Sequence, residues 1–362
     1  MIKENNYCVI MAGGVGSRFW PMSRTSLPKQ FHDILGVGQT LIQMTFSRFE
    51  NICPPENIYI VTNARYKDLV MEQLPNINEA QVLCEPYMRN TAPCIAYANA
   101  VIESKCSNAR IVVAPSDHLV LKEKDFIDTI EVALEECETK NLVTLGIKPS
   151  RPDTGYGYIQ YIDLPEAKNE TIKKVKTFTE KPTLEIAKSF IASGDFAWNS
   201  GIFIWSLANI QSAFSSFLPE IHRSFESIAD KIGTIEEAAA VDEVYASCEN
   251  ISIDYGIMEK AKNVSVVLSD FGWSDLGTWG SLYTHLDLDI YNNATVGEDL
   301  YLHNCTNNMV YNQTGKIIVL QGLDDFIVVD TDKALLVCKK DDEQKIKQFV
   351  NDIKIKKGDD YV

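Results

Sequence analysis

The sequence predicts an α/β fold: a mixed, mostly parallel sheet flanked by helices, then a small β-rich C-terminal domain ending in a helix. Three observations carry this. Over the first 150 residues, short Val- and Ile-rich runs alternate with helical patterns. Those runs lack strict apolar/polar alternation, as expected of strands buried on both faces. Beyond about residue 285, Asn, Thr, Gly and Asp separate short β-like runs.

Taken in order, 7–12, 58–62, 81–84, 110–114 and 142–146 read as strands. Within 123–138, Phe126, Ile127, Ile130, Leu134 and Cys137 recur at helical spacing. Residues 156–162 and 172–178 read as strands, 183–193 as a helix stopped by Gly194, and 236–248 as a helix. Further on, 317–321, 326–329 and 334–338 read as strands and 341–353 as a closing helix. The expected division is 1–284 and 285–362, with no clear internal repeat.

Of 362 residues, 34 are Lys or Arg and 50 are Asp or Glu, a formal net charge of −16. So acidic a chain is a poor general binder of nucleic acid or of an anionic membrane. A phosphate ligand must be met by a few local cations and backbone N–H groups. Nine scattered cysteines without a CxxC pair suggest buried, reduced thiols in a cytoplasmic protein. The N-terminus lacks the apolar core of a signal peptide, and no apolar run is long enough to span a bilayer.

The first strand leads into Ala12-Gly13-Gly14-Val15-Gly16-Ser17-Arg18-Phe19-Trp20-Pro21. Gly13, Gly14 and Gly16 allow close backbone approach to an anion. No Gly-Lys-[Ser/Thr] follows, so this is not a Walker A loop. Phe19 holds the third glycine position of the dinucleotide fingerprint, so it is not that either. Arg18 and, in Leu27-Pro28-Lys29-Gln30-Phe31, Lys29 add two cations suited to a triphosphate.

The segment from Ala12 to Phe31 closely resembles the signature of the nucleotidyltransferases that make nucleotide sugars, in the form of the mannose-1-phosphate guanylyltransferase branch. The resemblance continues in Glu85-Pro86-Tyr87-Met88-Arg89-Asn90-Thr91-Ala92-Pro93, Pro115-Ser116-Asp117-His118 and Thr154-Gly155-Tyr156-Gly157-Tyr158-Ile159. It extends through Phe178-Thr179-Glu180-Lys181-Pro182, Trp198-Asn199-Ser200-Gly201-Ile202-Phe203, Ser252-Ile253-Asp254-Tyr255 and Trp273-Ser274-Asp275-Leu276-Gly277. Eight such segments in order, over roughly 1–285, are far more specific than any one of them.

The resemblance implies a Rossmann-like fold and synthesis of GDP-mannose and pyrophosphate from GTP and mannose 1-phosphate. It implies that Arg18 and Lys29 hold the GTP phosphates. Gly13, Gly14 and Gly16 would supply backbone contacts, with Arg89 and Asn90 near the nucleotide. Lys181 would hold the sugar phosphate, Glu180 and Asn199 the sugar hydroxyls, and Gly155 and Gly157 would line that side. Asp117 and Asp275 would ligate a divalent cation, Mg²⁺. A homodimer through the β-rich appendage is a further expectation. Relatives often carry a cupin-type isomerase domain. Here only the appendage follows, so mannose-6-phosphate isomerase activity is not expected. The alternatives are another base or sugar 1-phosphate, a non-catalytic nucleotide-sugar-binding regulatory subunit, or a glycosyltransferase.

Overall fold

The computed structural model describes residues 4–165 and 167–362. It forms two compact units, each assembled from three stretches of chain. The first comprises Met1–Gly13, Thr45–Ser116 and Val120–Trp273; the second comprises Gly14–Met44, Asp117–Leu119 and Ser274–Val362.

The first unit is built on β1 (Asn6–Met11), β2 (Ile58–Asn63), β3 (Val82–Glu85), β4 (Arg110–Pro115), β5 (Leu142–Ile147), β6 (Gly157–Asp163), β7 (Ile172–Glu180), β8 (Phe196–Ser206) and β9 (Val264–Ser269). These make one sheet in the order β3-β2-β1-β4-β8-β5-β9-β7-β6. Only β7 and β8 run against the rest, so the sheet is mixed but mostly parallel. Every residue of β2 and β5 is buried, which explains their unbroken apolar runs. The strand order reverses at β1, where ligands of such sheets bind beyond the carboxyl ends of the strands.

Local signals placed several boundaries well. The Thr183 side chain caps the helix Leu184–Ser193, and Gly194 ends it in the left-handed region. Other expectations need correction. Gln81 belongs to a short 3-10 turn before β3, because its side chain completes a capping box with Asn78. The stretch 341–353 is not one helix. A 3-10 segment Lys340–Lys345 precedes the α-helix Ile346–Lys357, whose first residue anchors in the core.

The second unit contains β10 (Ala294–Val296), β11 (Leu300–His303), β12 (Met309–Asn312), β13 (Ile318–Gln321), β14 (Phe326–Asp330) and β15 (Leu335–Lys339). Strands β10, β12 and β14 stack in parallel, β11 stacks on β13, and β15 closes the larger stack antiparallel. This is a coiled, β-helical repeat, which corrects the expectation that none exists. Its rungs are offset by 15 and then 18 residues, from Ala294 to Met309 to Ile327, so no fixed period appears in the sequence. Asn293 and Asn308 tie successive coils: the Asn308 backbone N–H and side-chain amide both donate to Asn293 Oδ1. The core of this unit joins Phe19, Trp20 and Met22 to Trp279, Met309, Tyr311, Ile327 and Ile346. The tryptophans near the motifs therefore pack: Trp20, Trp198, Trp273 and Trp279 are all buried. All nine cysteines are free.

Candidate functional site

In the second unit, the glycine loop is shaped around a lysine. Gly16 has φ 74°, and a Cβ there would lie 2.7 Å from the Lys29 Cβ. Only glycine meets both conditions. Gly16 leads into the 3-10 turn Ser17–Phe19, which presents Arg18, and the Lys29 backbone N–H donates to the Val15 carbonyl. A Cβ at Gly14 would meet nothing within 4 Å, so that backbone is open.

The Lys29 side chain is 3 % exposed. Its ammonium pairs with Asp117 Oδ2 at 2.9 Å and donates to the Asp275 carbonyl at 2.8 Å. It also lies 5.3 Å from the centre of the Phe19 ring. Burial raises the Asp117 carboxyl, but Lys29 first and His118 next outweigh it and leave the group below its ordinary value. Asp275 Oδ1 accepts the Gly277 N–H at 2.9 Å, a tight turn that aims the carboxylate. A Cβ on Gly277 would fall 2.6 Å from Asp275 Oδ2 and 3.2 Å from Arg18 Nη1. Arg18, Lys29, Asp117, His118, Asp275 and Lys347 line one recess of about 270 Å³. Lys347 and His118 had no role in the sequence reading. Lys347 stands in a plain Lys-rich helix, so nothing local marked it.

Two carboxylates are few for a metal cage, and among the described residues no group of three or more His, Cys, Asp or Glu gathers into one. An all-oxygen pair nevertheless suits Mg²⁺, which takes one or two carboxylates and completes its shell with phosphate oxygens and water.

The first unit holds the other expected residues. Gly13 follows β1. Asn90 (φ 68°) caps the helix Thr91–Glu103 by accepting the Thr91 N–H. Arg89 donates to the carbonyls of Tyr245 and Ala246 at 3.2 and 3.3 Å. Gly157 opens β6 opposite Glu180 on β7, and a Cβ there would lie 2.4 Å from Glu180 Oε2 and 3.4 Å from the Asn199 Cβ. Gly157 thus lets these two side chains converge. Gly155 donates its N–H to Asp153 at 2.8 Å. Lys181 (φ 48°) is 60 % exposed and forms a short ion pair with Glu180. Asn199 lies within β8, not in a turn, and donates to Asp254 Oδ1 at 2.8 Å.

Asp254 belongs to a quoted motif but had no role assigned. It begins the π-helical turn Asp254–Met258, a geometry frequent at functional sites. Burial raises its carboxyl and Glu180 adds to that, while the Asn199 bond opposes. Glu180, Asn199 and Asp254 thus form a connected, acceptor-rich cluster.

Residues 7–290 match the nucleotidyl transferase family, and 304–353 match the MannoseP isomerase/GMP-like beta-helix domain. A mannose-1-phosphate guanylyltransferase of Escherichia coli is 34% identical over 94% of this chain and 74% of its own length. One from Salmonella montevideo is 36% identical over 98% of this chain and 75% of its own. A crystal structure described as mannose-1-phosphate geranyltransferase from Thermus thermophilus superposes with a TM-score of 0.85. It is 30% identical and covers 97% of this chain and 99% of that one.

Proposed function

This chain belongs to the mannose-1-phosphate guanylyltransferase family of nucleotidyl transferases, and we propose that it makes GDP-mannose and pyrophosphate from GTP and mannose 1-phosphate. One observation carries the reading: a buried lysine bonded to both Asp117 and Asp275, beside Arg18, in one small polar recess. A sugar-phosphate oxygen bonds to the α-phosphorus of GTP, and the bond from that phosphorus to the β-bridging oxygen breaks. The nucleophile is already ionised at neutral pH, so no general base is needed. The task is to offset repulsion between phosphates and charge growing on pyrophosphate, which is electrostatic positioning.

Arg18 and Lys29 hold the phosphates, Lys347 adds a third cation at the recess wall, and Gly13, Gly14 and Gly16 give backbone contacts. Arg89 and Asn90 stay near the nucleotide. Asp117 and Asp275 would hold Mg²⁺, which would supply positive charge that stabilises the phosphates. Glu180 and Asn199 take the mannose hydroxyls, Lys181 its phosphate, and the Gly155 and Gly157 backbone lines that side.

We take 1–284 as the transferase region and 285–362 as the appendage; a two-part division is supported by the two family matches, of which the first ends at 290 and the second begins at 304. A homodimer through the appendage is supported by its exposed Tyr301, Ile317, Val319, Leu335 and Val337. Light scattering on the purified chain tests it. Nine free cysteines support a cytoplasmic setting. No helix among the described residues is long and apolar enough to cross a membrane.

The decisive assay is pyrophosphate release with Mg²⁺, crossing four nucleoside triphosphates with mannose 1-phosphate, glucose 1-phosphate and no sugar. Release confined to GTP with mannose 1-phosphate is expected. Release with another pair would replace the substrates, and none with any pair would remove the reading.

A further inference from the structure

The helix Ile346–Lys357 is tied at both ends to segments that carry the recess. Ahead of it, Glu343 Oε2 accepts the Gly280 N–H at 2.8 Å, just beyond the Asp275 turn, and a Cβ on Gly280 would lie 2.9 Å from that oxygen. After it, the Tyr361 carbonyl accepts the Trp20 indole N–H at 2.7 Å, and the Val362 carbonyl accepts the Thr25 N–H at 3.0 Å. Between these ties, buried Ile346 and the partly buried Phe349, Val350 and Ile353 pack in the core that holds Phe19 and Trp20. The helix is thereby fixed against the glycine loop, and it carries Lys347 into the recess wall.

The three cations of the recess stand at different depths. Lys29 is buried, Arg18 half-buried and Lys347 exposed. Other lysines of this region are engaged with acids: Lys345 pairs with Asp342 and Lys354 with Asp359, each at 2.8 Å. Glu343, one turn before Lys347, holds Gly280. Among the described residues no ion pair to Lys347 is found. An ammonium delivered on a rigid element without an acid suits an anion from outside, and a phosphate accepts such a point charge. Asp117, Asp275 and Lys29 meet deep in the recess, where the reacting phosphorus belongs. The phosphates that leave then extend towards its exposed side.

We propose that Lys347 holds the γ-phosphate of the bound triphosphate and the same end of pyrophosphate as it leaves. This rests on the nucleotide reading given above and deepens it. The last helix of the appendage becomes a working part of the site, whereas the sequence reading gave the GTP phosphates to Arg18 and Lys29 alone.

The test is calorimetric titration of GTP and of GDP, which lacks the γ-phosphate, into wild type and Lys347→Gln with Mg²⁺. Lys347→Gln should bind GTP about tenfold more weakly, the worth of one hydrogen bond to a charged group at an exposed position, and GDP as wild type does. Lys347→Arg should restore most of the GTP affinity. An equal loss for GTP and GDP would mean a merely structural role for the helix and overturn the proposal, as would unchanged GTP affinity. Should the variants not fold, wild type decides alone through lysine acetylation read by peptide mass spectrometry. GTP and inorganic pyrophosphate should shield Lys347 from acetylation, with GDP shielding it little and Lys345 and Lys354 reacting equally throughout. Equal reactivity of Lys347 with and without GTP overturns the proposal. Pyrophosphate release by a wild type whose Lys347→Gln variant keeps its GTP affinity would leave the reaction reading standing and sink Lys347 alone. Failure of wild type to bind GTP would sink both.

Discussion

Lys29 is 3 % exposed and bonded to two acidic residues, whereas Lys181 is 60 % exposed and pairs with its own neighbour, Glu180. The first belongs to a recess with Arg18 and Lys347; the second belongs to a cluster dominated by Glu180, Asp254 and Asn199. Under the proposed assignment, the contrast follows the two ligands. A triphosphate that sheds pyrophosphate develops charge, and a cation fixed in a dry site stabilises it without reorganising. A mannose ring offers neutral hydroxyls, which acceptors suit. The Lys181 ammonium stands in water, where screening limits what it can contribute. Lys29 should therefore act on the transition state and Lys181 on binding.

Breaking the recess should have the largest effect. Asp117→Ala, Asp275→Ala and Lys29→Ala should each lower kcat by about 10³-fold or more while circular dichroism stays native. Unchanged turnover would remove that residue from the machinery.

Glu85 sharpens the contrast, as a buried charge without the partners Lys29 has. Burial raises its pKa to about 7, with the Tyr245 bond opposing, so the folded state holds a proton that the unfolded chain releases. Its contribution is full below pH 4.5 and is lost as pH rises through about 7. Tyr245 and Cys94, which face it, are pushed well above their ordinary values and do not titrate in that window. Glu85→Gln should stabilise the unliganded protein at pH 8 by up to about 3 kcal/mol, with the gain vanishing near pH 4.5. Denaturant melts across pH would show it, and a gain independent of pH would contradict this origin.

Gly16→Ala tests the loop that wraps Lys29. Its φ of 74° and a Cβ 2.7 Å from the Lys29 Cβ should cost about 1–3 kcal/mol. Thermal melts would read it, and an unchanged Tm would mean the loop relaxes freely.

The smallest effect belongs to the exposed pair. Lys181→Ala should raise KM for mannose 1-phosphate about tenfold with kcat near wild type, as uniform binding predicts. A rise in the KM for GTP instead would overturn the sugar-side assignment.

The residues of the recess were legible because motif chemistry is local. Gly16, Arg18, Lys29, Asp117 and Asp275 were each marked by type and setting. Their mutual geometry was not. Lys29 read alone is an ordinary surface charge, and Asp117 and Lys29 are joined only by folding. The helix Thr91–Glu103 escaped notice because nearly all its residues are buried, so no amphipathic stripe betrays it. The β-helical coil escaped because its rungs vary in length and are tied by asparagines that read as loop residues.

By itself, then, the sequence determined seven of the nine strands of the large sheet, the apolar burial of the central ones, the glycine loop and the inventory of charges, but not the strands Phe196–Ser206 and Val264–Ser269. Backbone freedom and hydrophobic pattern are properties of neighbouring residues. Tertiary structure alone decided that Lys29 meets Asp117 and Asp275, that Asn199 meets Asp254, and that Glu85 reaches Gly13. Those partners lie tens to hundreds of residues apart. Their electrostatics depend on distance and burial, which exist only once the chain has closed on itself.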